Sequence, residues 1–84
     1  MQTTWRPVDP GKTRSHLPDD AFAFPRERKE PLTDGAHVRG AIARFRQVDE
    51  VSDRERALAF DNIKAAAAYY GVHVSANNWH DLMG

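Results

Sequence analysis

No cysteine occurs among the 84 residues, which excludes disulfide staples, thiol nucleophiles, iron–sulfur clusters and thiolate zinc sites together. No charge of one sign prevails. Twelve Lys and Arg are balanced by twelve Asp and Glu, so no global field draws the chain onto nucleic acid or an anionic membrane, and any such binding needs a local patch. No apolar run approaches the ~18 residues of a membrane span, and the opening from Met1 to Pro7 lacks the charged and apolar regions of a signal peptide, so a cytoplasmic protein is expected. Proline is missing beyond Pro31: Pro7, Pro10, Pro18, Pro25 and Pro31 are all five of them. The first third of the chain therefore cannot hold a helix of ordinary length, because each proline lacks a backbone donor and biases its predecessor toward extended geometry.

What remains is enough for one small core. A domain of this size buries only about 60 to 65% of its unfolded surface, so stability is expected to be modest. Residues 1 to about 14, with Pro10-Gly11 and polar neighbours, read as a mobile arm, and the domain boundary is expected at 16/17. Trp5 is the arm's single apolar handle and reads as loosely packed. From Leu17 the character changes. Leu17, Phe22, Phe24 and Leu32 are too apolar for a solvated linker, and Ala21-Phe22-Ala23-Phe24 alternates with a period of two. This predicts an extended strap across the helices, with Phe22 and Phe24 on one face and Arg26 to Glu30 forming a charged bulge between two prolines.

The first helix is predicted to begin at Thr33 or Asp34, either of which can cap first-turn amides, and to end near Val48. Val38, Ala41, Ile42 and Phe45 fall at the spacing of one helical face. Gly40 costs about 1 kcal/mol relative to Ala inside such a helix, which suggests close approach of another backbone. Ser52-Asp53-Arg54-Glu55 is a capping box, and the helix it opens carries Phe60, Ile63, Ala67 and Tyr70 on one face before Gly71 supplies a left-handed stop. Val72-His73-Val74 alternates briefly and offers a pairing partner for Ala21 to Phe24. Ser75 is placed to cap a last short turn from Ala76 to Leu82.

The fold class expected is mainly α: an antiparallel helical hairpin, 34 to 48 and 52 to 70, covered by the 17 to 32 strap, with one short strand pairing and a C-terminal helical turn. Its core is expected to comprise Phe22, Phe24, Leu32, Val38, Ile42, Phe45, Phe60, Ile63, Ala67, Tyr70, Val72 and Trp79.

The chemistry-bearing residues have structural roles at hand. His16, His37, His73 and His80 form neither an i, i+4 pair nor a tight cluster, so no metal site is expected. The carboxylate pairs Asp19-Asp20, Asp49-Glu50 and Asp53-Glu55 read as turns and helix caps. Nothing resembles a nucleophile elbow or a phosphate loop, so no enzyme activity, catalytic residue or cofactor is expected. Local positive charge is the remaining feature. Arg28 and Lys29 on the strap, and His37, Arg39, Arg44 and Arg46 on the first helix, make a candidate binding surface, with Arg39 and Arg46 seven apart on one stripe. Such a surface fits solvated ion pairs, a protein partner or self-association, or weak, sequence-independent contact with nucleic acid. No aromatic platform is interleaved with it, which argues against single-strand stacking.

From Leu17 onward the chain resembles an uncharacterised family of short actinobacterial proteins and phage-associated domains. The residues that carry the resemblance are Leu17-Pro18-Asp19 with Ala21 to Phe24, Arg28 to Asp34, His37-Val38-Arg39 with Ala41 to Phe45, Gln47-Val48, Val51-Ser52-Asp53 with Glu55-Arg56, and Tyr70-Gly71-Val72 with Trp79. The resemblance implies no established activity. In some phage proteins a similar module adjoins head-morphogenesis or prohead-protease segments, which implies a docking or assembly role. The chain departs from the pattern at Gly35, Gly40 and Asn77-Asn78.

Overall fold

The computed structural model of the protein describes residues 3–8 and 16–84. A 3-10 turn at Asp19–Ala21 leads into strand β1 (Phe22–Phe24), strand β2 (Lys29–Pro31) and helix α1 (Gly35–Arg44). A second 3-10 turn at Phe45–Gln47 precedes helix α2 (Asp53–Tyr70), and a third at Trp79–Leu82 lies near the C-terminus. The result is two packed helices with a two-stranded antiparallel sheet, in which α2 packs against both β1 and α1.

The caps predicted from local sequence are present. The Asp34 carboxylate accepts the His37 amide and starts α1, whereas Ser52 and Glu55 complete a reciprocal capping box on α2. Gly71 takes φ 72°, a left-handed value that a side chain would disfavour, and the Val72 amide donates back to the Ala67 carbonyl at 2.8 Å, closing the helix end. Helix α1 is shorter than expected, since its backbone tightens into a 3-10 turn after Arg44.

Strand pairing differs from the expectation. Phe22 pairs with Pro31 and Phe24 with Lys29, so the segment read as a charged bulge is the turn and second strand of a hairpin. Closing a short local loop costs less chain entropy than bringing Val72–Val74 across some 50 residues, and Val72 and Val74 instead pack half-buried against the core. All three residues of β1 are buried. Phe24 packs on Phe45 with ring centroids 5.6 Å apart, whereas Phe22, two residues away on the same strand, packs in a separate cluster with Leu17 and Ala21. At the C-terminus the residue before the last turn is Asn78 rather than Ser75, and the Asp81 carboxylate accepts the Asn77 amide at 2.8 Å.

The expected core is buried at Phe22, Phe24, Leu32, Val38, Phe45, Phe60, Ile63 and Ala67, and half-buried at Ile42, Tyr70, Val72 and Trp79. Its largest addition is Trp5. The reading of residues 1 to 14 as an arm, with Trp5 loosely packed, is corrected for residues 3–8: Trp5 is 8% exposed and lies in the main core cluster. The boundary at 16/17 therefore does not separate Trp5 from the domain. The rest of the arm, residues 1–2 and 9–15, lies outside the described residues. No helix among those described is long and apolar enough to cross a membrane.

Candidate functional site

Arg28, Lys29, Glu30, Pro31, His37 and Arg44 line a cleft of about 430 Å³ between the β1–β2 hairpin and α1. Four of the six cationic candidates meet there. Arg39 and Arg46 do not line it. A helix places residues 37, 40 and 44 on one side, and Ala36, His37, Gly40 and Arg44 border an adjoining depression. Arg39 instead lies over Gly35, and Arg46 reaches toward Gly84. The 3-10 turn at Phe45–Gln47 breaks the seven-residue repeat that would have aligned positions 39 and 46.

Arg28, His37 and Arg44 each have a carboxylate beside them already. Arg44 presents Nε and Nη2 to Glu30 Oε1, both at 3.1 Å, and the Glu30 side chain is only 15% exposed. Arg28 donates to Asp19 Oδ1 at 2.6 Å and to the Leu17 carbonyl at 2.8 Å, with its guanidinium 4.7 Å from the Phe22 ring centroid. His37 Nδ1 lies 2.9 Å from Asp34 Oδ1. The His37 backbone amide, and then its ring, hold the Asp34 carboxyl below its ordinary range. Lys29 is in no ion pair among the described residues.

Two backbone positions aim these side chains. Arg28 and Glu30 sit at φ 53° and 58°, a left-handed conformation that costs a non-glycine residue on the order of 1 kcal/mol or more. No Gly, Asn or Asp marks either position, so the sequence carried no signal for them. From these positions Arg28 turns back to Asp19 and Glu30 reaches across to Arg44.

A second polar constellation escaped the sequence reading altogether. Asn62 on α2 is fully buried. Its Oδ1 accepts the backbone amides of Thr4 at 2.8 Å and Trp5 at 3.0 Å, while Nδ2 donates to Thr4 Oγ1 and the Ala23 carbonyl, both at 3.0 Å. The Trp5 indole N–H donates to the Leu32 carbonyl at 3.0 Å, and the Arg6 amide to the Asp20 carbonyl at 2.9 Å. The available signal was positional: Asn62 shares the i, i+3, i+4, i+7 stripe of Ala59, Ile63 and Ala66, and a polar residue on an apolar stripe needs an internal partner.

A third contact links two carboxyls. Glu27 in the hairpin turn and Glu55 of the capping box each bury one oxygen, Glu27 Oε1 and Glu55 Oε2, that finds no donor while both groups are ionised. A hydrogen bond between them requires a proton, and that bond, followed by burial, raises Glu27 above its ordinary range while lowering Glu55. Among the described residues no three His, Asp or Glu side chains gather as a metal site would require.

A protein-family model described as a family of unknown function (DUF6582) matches residues 2–77, and the chain belongs to that family. The match takes in the docked segment around Trp5 as well as the hairpin and both helices, so it begins earlier than the resemblance that starts at Leu17. No curated protein and no solved structure matches.

Proposed function

We propose that this protein is a non-enzymatic protein-interaction module whose cleft, lined by Arg28, Lys29, His37 and Arg44, receives an acidic segment of a protein partner. The observation that carries the proposal is the pair of left-handed, non-glycine residues Arg28 and Glu30 flanking Lys29. Strain of this kind persists where side chains must be aimed, and it clusters at ligand sites. Glu30 occupies Arg44 in the free protein as a partner's carboxylate would in the complex. Lys29 supplies the uncompensated charge that favours the exchange. The phage-associated resemblance fits such a docking role in assembly, and a cytoplasmic setting fits the composition.

Nucleic acid is the second reading, because the same side chains can contact phosphates. Pairing of Arg28, Arg44 and His37 within the chain works against it, since affinity for a duplex grows with the number of cations that neutralise phosphates. A fluorescence-anisotropy titration of a hexaglutamate peptide and of duplex DNA, on the parent and on a Lys29→Glu, Arg44→Glu variant, separates the readings. The peptide is expected to bind the parent and to lose roughly tenfold or more on charge reversal, about 1.4 kcal/mol. Tighter binding of the duplex, with a log–log salt slope of about −3, favours nucleic acid. Failure of the parent to bind either probe contradicts the assignment of the cleft.

A further inference from the structure

We infer that the groove holding Thr4–Arg6 accepts the same segment from a second copy of this chain, so that two molecules join by exchanging their N-terminal segments. The groove is a different surface from the cationic cleft. Its floor is Asn62 on α2, and its walls are the segment from Asp20 to Ala23, Leu32 and Tyr69-Tyr70.

Three features support exchange. The segment docks through main-chain amides, with no helix or strand of its own, and this mode of recognition is equally available to a separate chain. One aromatic anchor holds it: Trp5 is buried and meets Tyr69 and Tyr70 edge-on, with centroids 5.7 and 5.9 Å away. The groove also cannot be left empty without cost. Among the described residues the side-chain hydrogen bonds of Asn62 run to Thr4, Trp5 and Ala23, so a vacated groove leaves a buried amide without most of these partners. An identical segment from another molecule restores every one of these contacts, which is the condition for a low-cost swap.

Concentration decides which occupant prevails. Residues 9–15 join Val8 to His16, and a connection of that length spans up to about 25 Å. Covalent tethering within one chain gives self-docking an effective concentration on the order of millimolar. The protein is therefore expected to be monomeric at about 10 µM and to form dimer as it approaches about 1 mM.

The direct test mixes two full-length variants by native mass spectrometry. Trp5→Ala keeps the groove and loses the anchor, whereas Asn62→Ala keeps the anchor and damages the groove. Neither docks its own segment well, so in the mixture the intact segment of one is expected to occupy the intact groove of the other. The heterodimer should exceed either homodimer by roughly tenfold at micromolar concentration, because the self-docking competitor is gone. Both variants showing helical circular dichroism but no heterodimer overturns the inference. Should either variant fail to fold, the parent chain decides. Light scattering up to about 1 mM should reveal a dimer that an excess of synthetic peptide covering residues 1–8 converts to monomer. A parent that remains monomeric, or a dimer indifferent to the peptide, overturns it. Neither experiment alters Lys29 or Arg44, so its outcome is independent of the cleft.

Discussion

Gly40 makes room for Arg44: a Cβ at position 40 would stand 2.6 Å from Nη2 and 3.1 Å from Cζ of the Arg44 guanidinium. The missing side chain lets Arg44 fold back along α1 and reach Glu30. The glycine that sequence reasoning expected to admit a neighbouring backbone instead admits the end of a side chain on its own helix. Gly40→Ala gains about 1 kcal/mol of helix propensity and pushes aside only the half-exposed, flexible end of Arg44. Its melting temperature is expected to equal or exceed that of the parent, while the Arg44 Nε–H resonance shifts on losing Glu30. A clear fall in melting temperature would mean that the Arg44–Glu30 contact braces the fold.

Phe45→Ala and Phe60→Ala are each expected to destabilise the protein by about 3 to 5 kcal/mol. Phe45 is 1% exposed and packs on Phe24, and Phe60 is 4% exposed. Urea unfolding measures the change, and a variant with the parent's midpoint would remove that residue from the core.

Glu27 gives a pH signature with a definite sign. Its folded-state pKa is raised, so its contribution is present in acid, below the unfolded value, and is lost as pH rises through the folded one. Glu55 is shifted the other way, and its contribution fades in acid. Glu27→Gln keeps a neutral donor beside Glu55 at every pH. The variant is expected to be more stable than the parent at pH 7, with the difference shrinking toward about pH 4 as the parent's own Glu27 takes up its proton. A difference that grows on acidification would show that the two side chains do not share a proton.

Features encoded within a few residues were legible in the sequence. The Asp34 cap, the Ser52–Glu55 box and the Gly71 stop each depend on positions within one helical turn, and all three formed. The cleft was half legible: the residue types were visible, but Arg39 and Arg46 were assigned to it on the assumption of an unbroken helix. What ended the stripe was the switch to 3-10 geometry after Arg44, which no local residue announced. Trp5 and Asn62 were illegible for a different reason, because their hydrogen bond joins residues 57 apart in sequence. Composition around Trp5 correctly excluded a helix there. It said nothing about what an extended segment could dock against.

Asn62→Ala tests that contact energetically. The change removes the acceptor of two backbone amides and the donor to Ala23, and each buried group left without a partner costs about 1 to 3 kcal/mol. A loss of at least about 2 kcal/mol in urea unfolding is expected on that basis. Trp5→Ala should cost at least as much through its lost ring contacts, about 3 to 5 kcal/mol. Because both act on one docking event, the double variant should cost less than the sum of the two. Full additivity would mean that Trp5 and Asn62 contribute separately.

Amide hydrogen exchange at Thr4 and Trp5 is the most direct measurement of whether the N-terminal segment is part of the folded core. Both amides donate to a fully buried side chain, so they are expected to exchange orders of magnitude more slowly than an unstructured peptide, with protection approaching that of central α2 amides such as Ile63. Exchange of Thr4 and Trp5 at unstructured rates, while Ile63 stays protected, would contradict both the docked segment and the exchange between copies built on it.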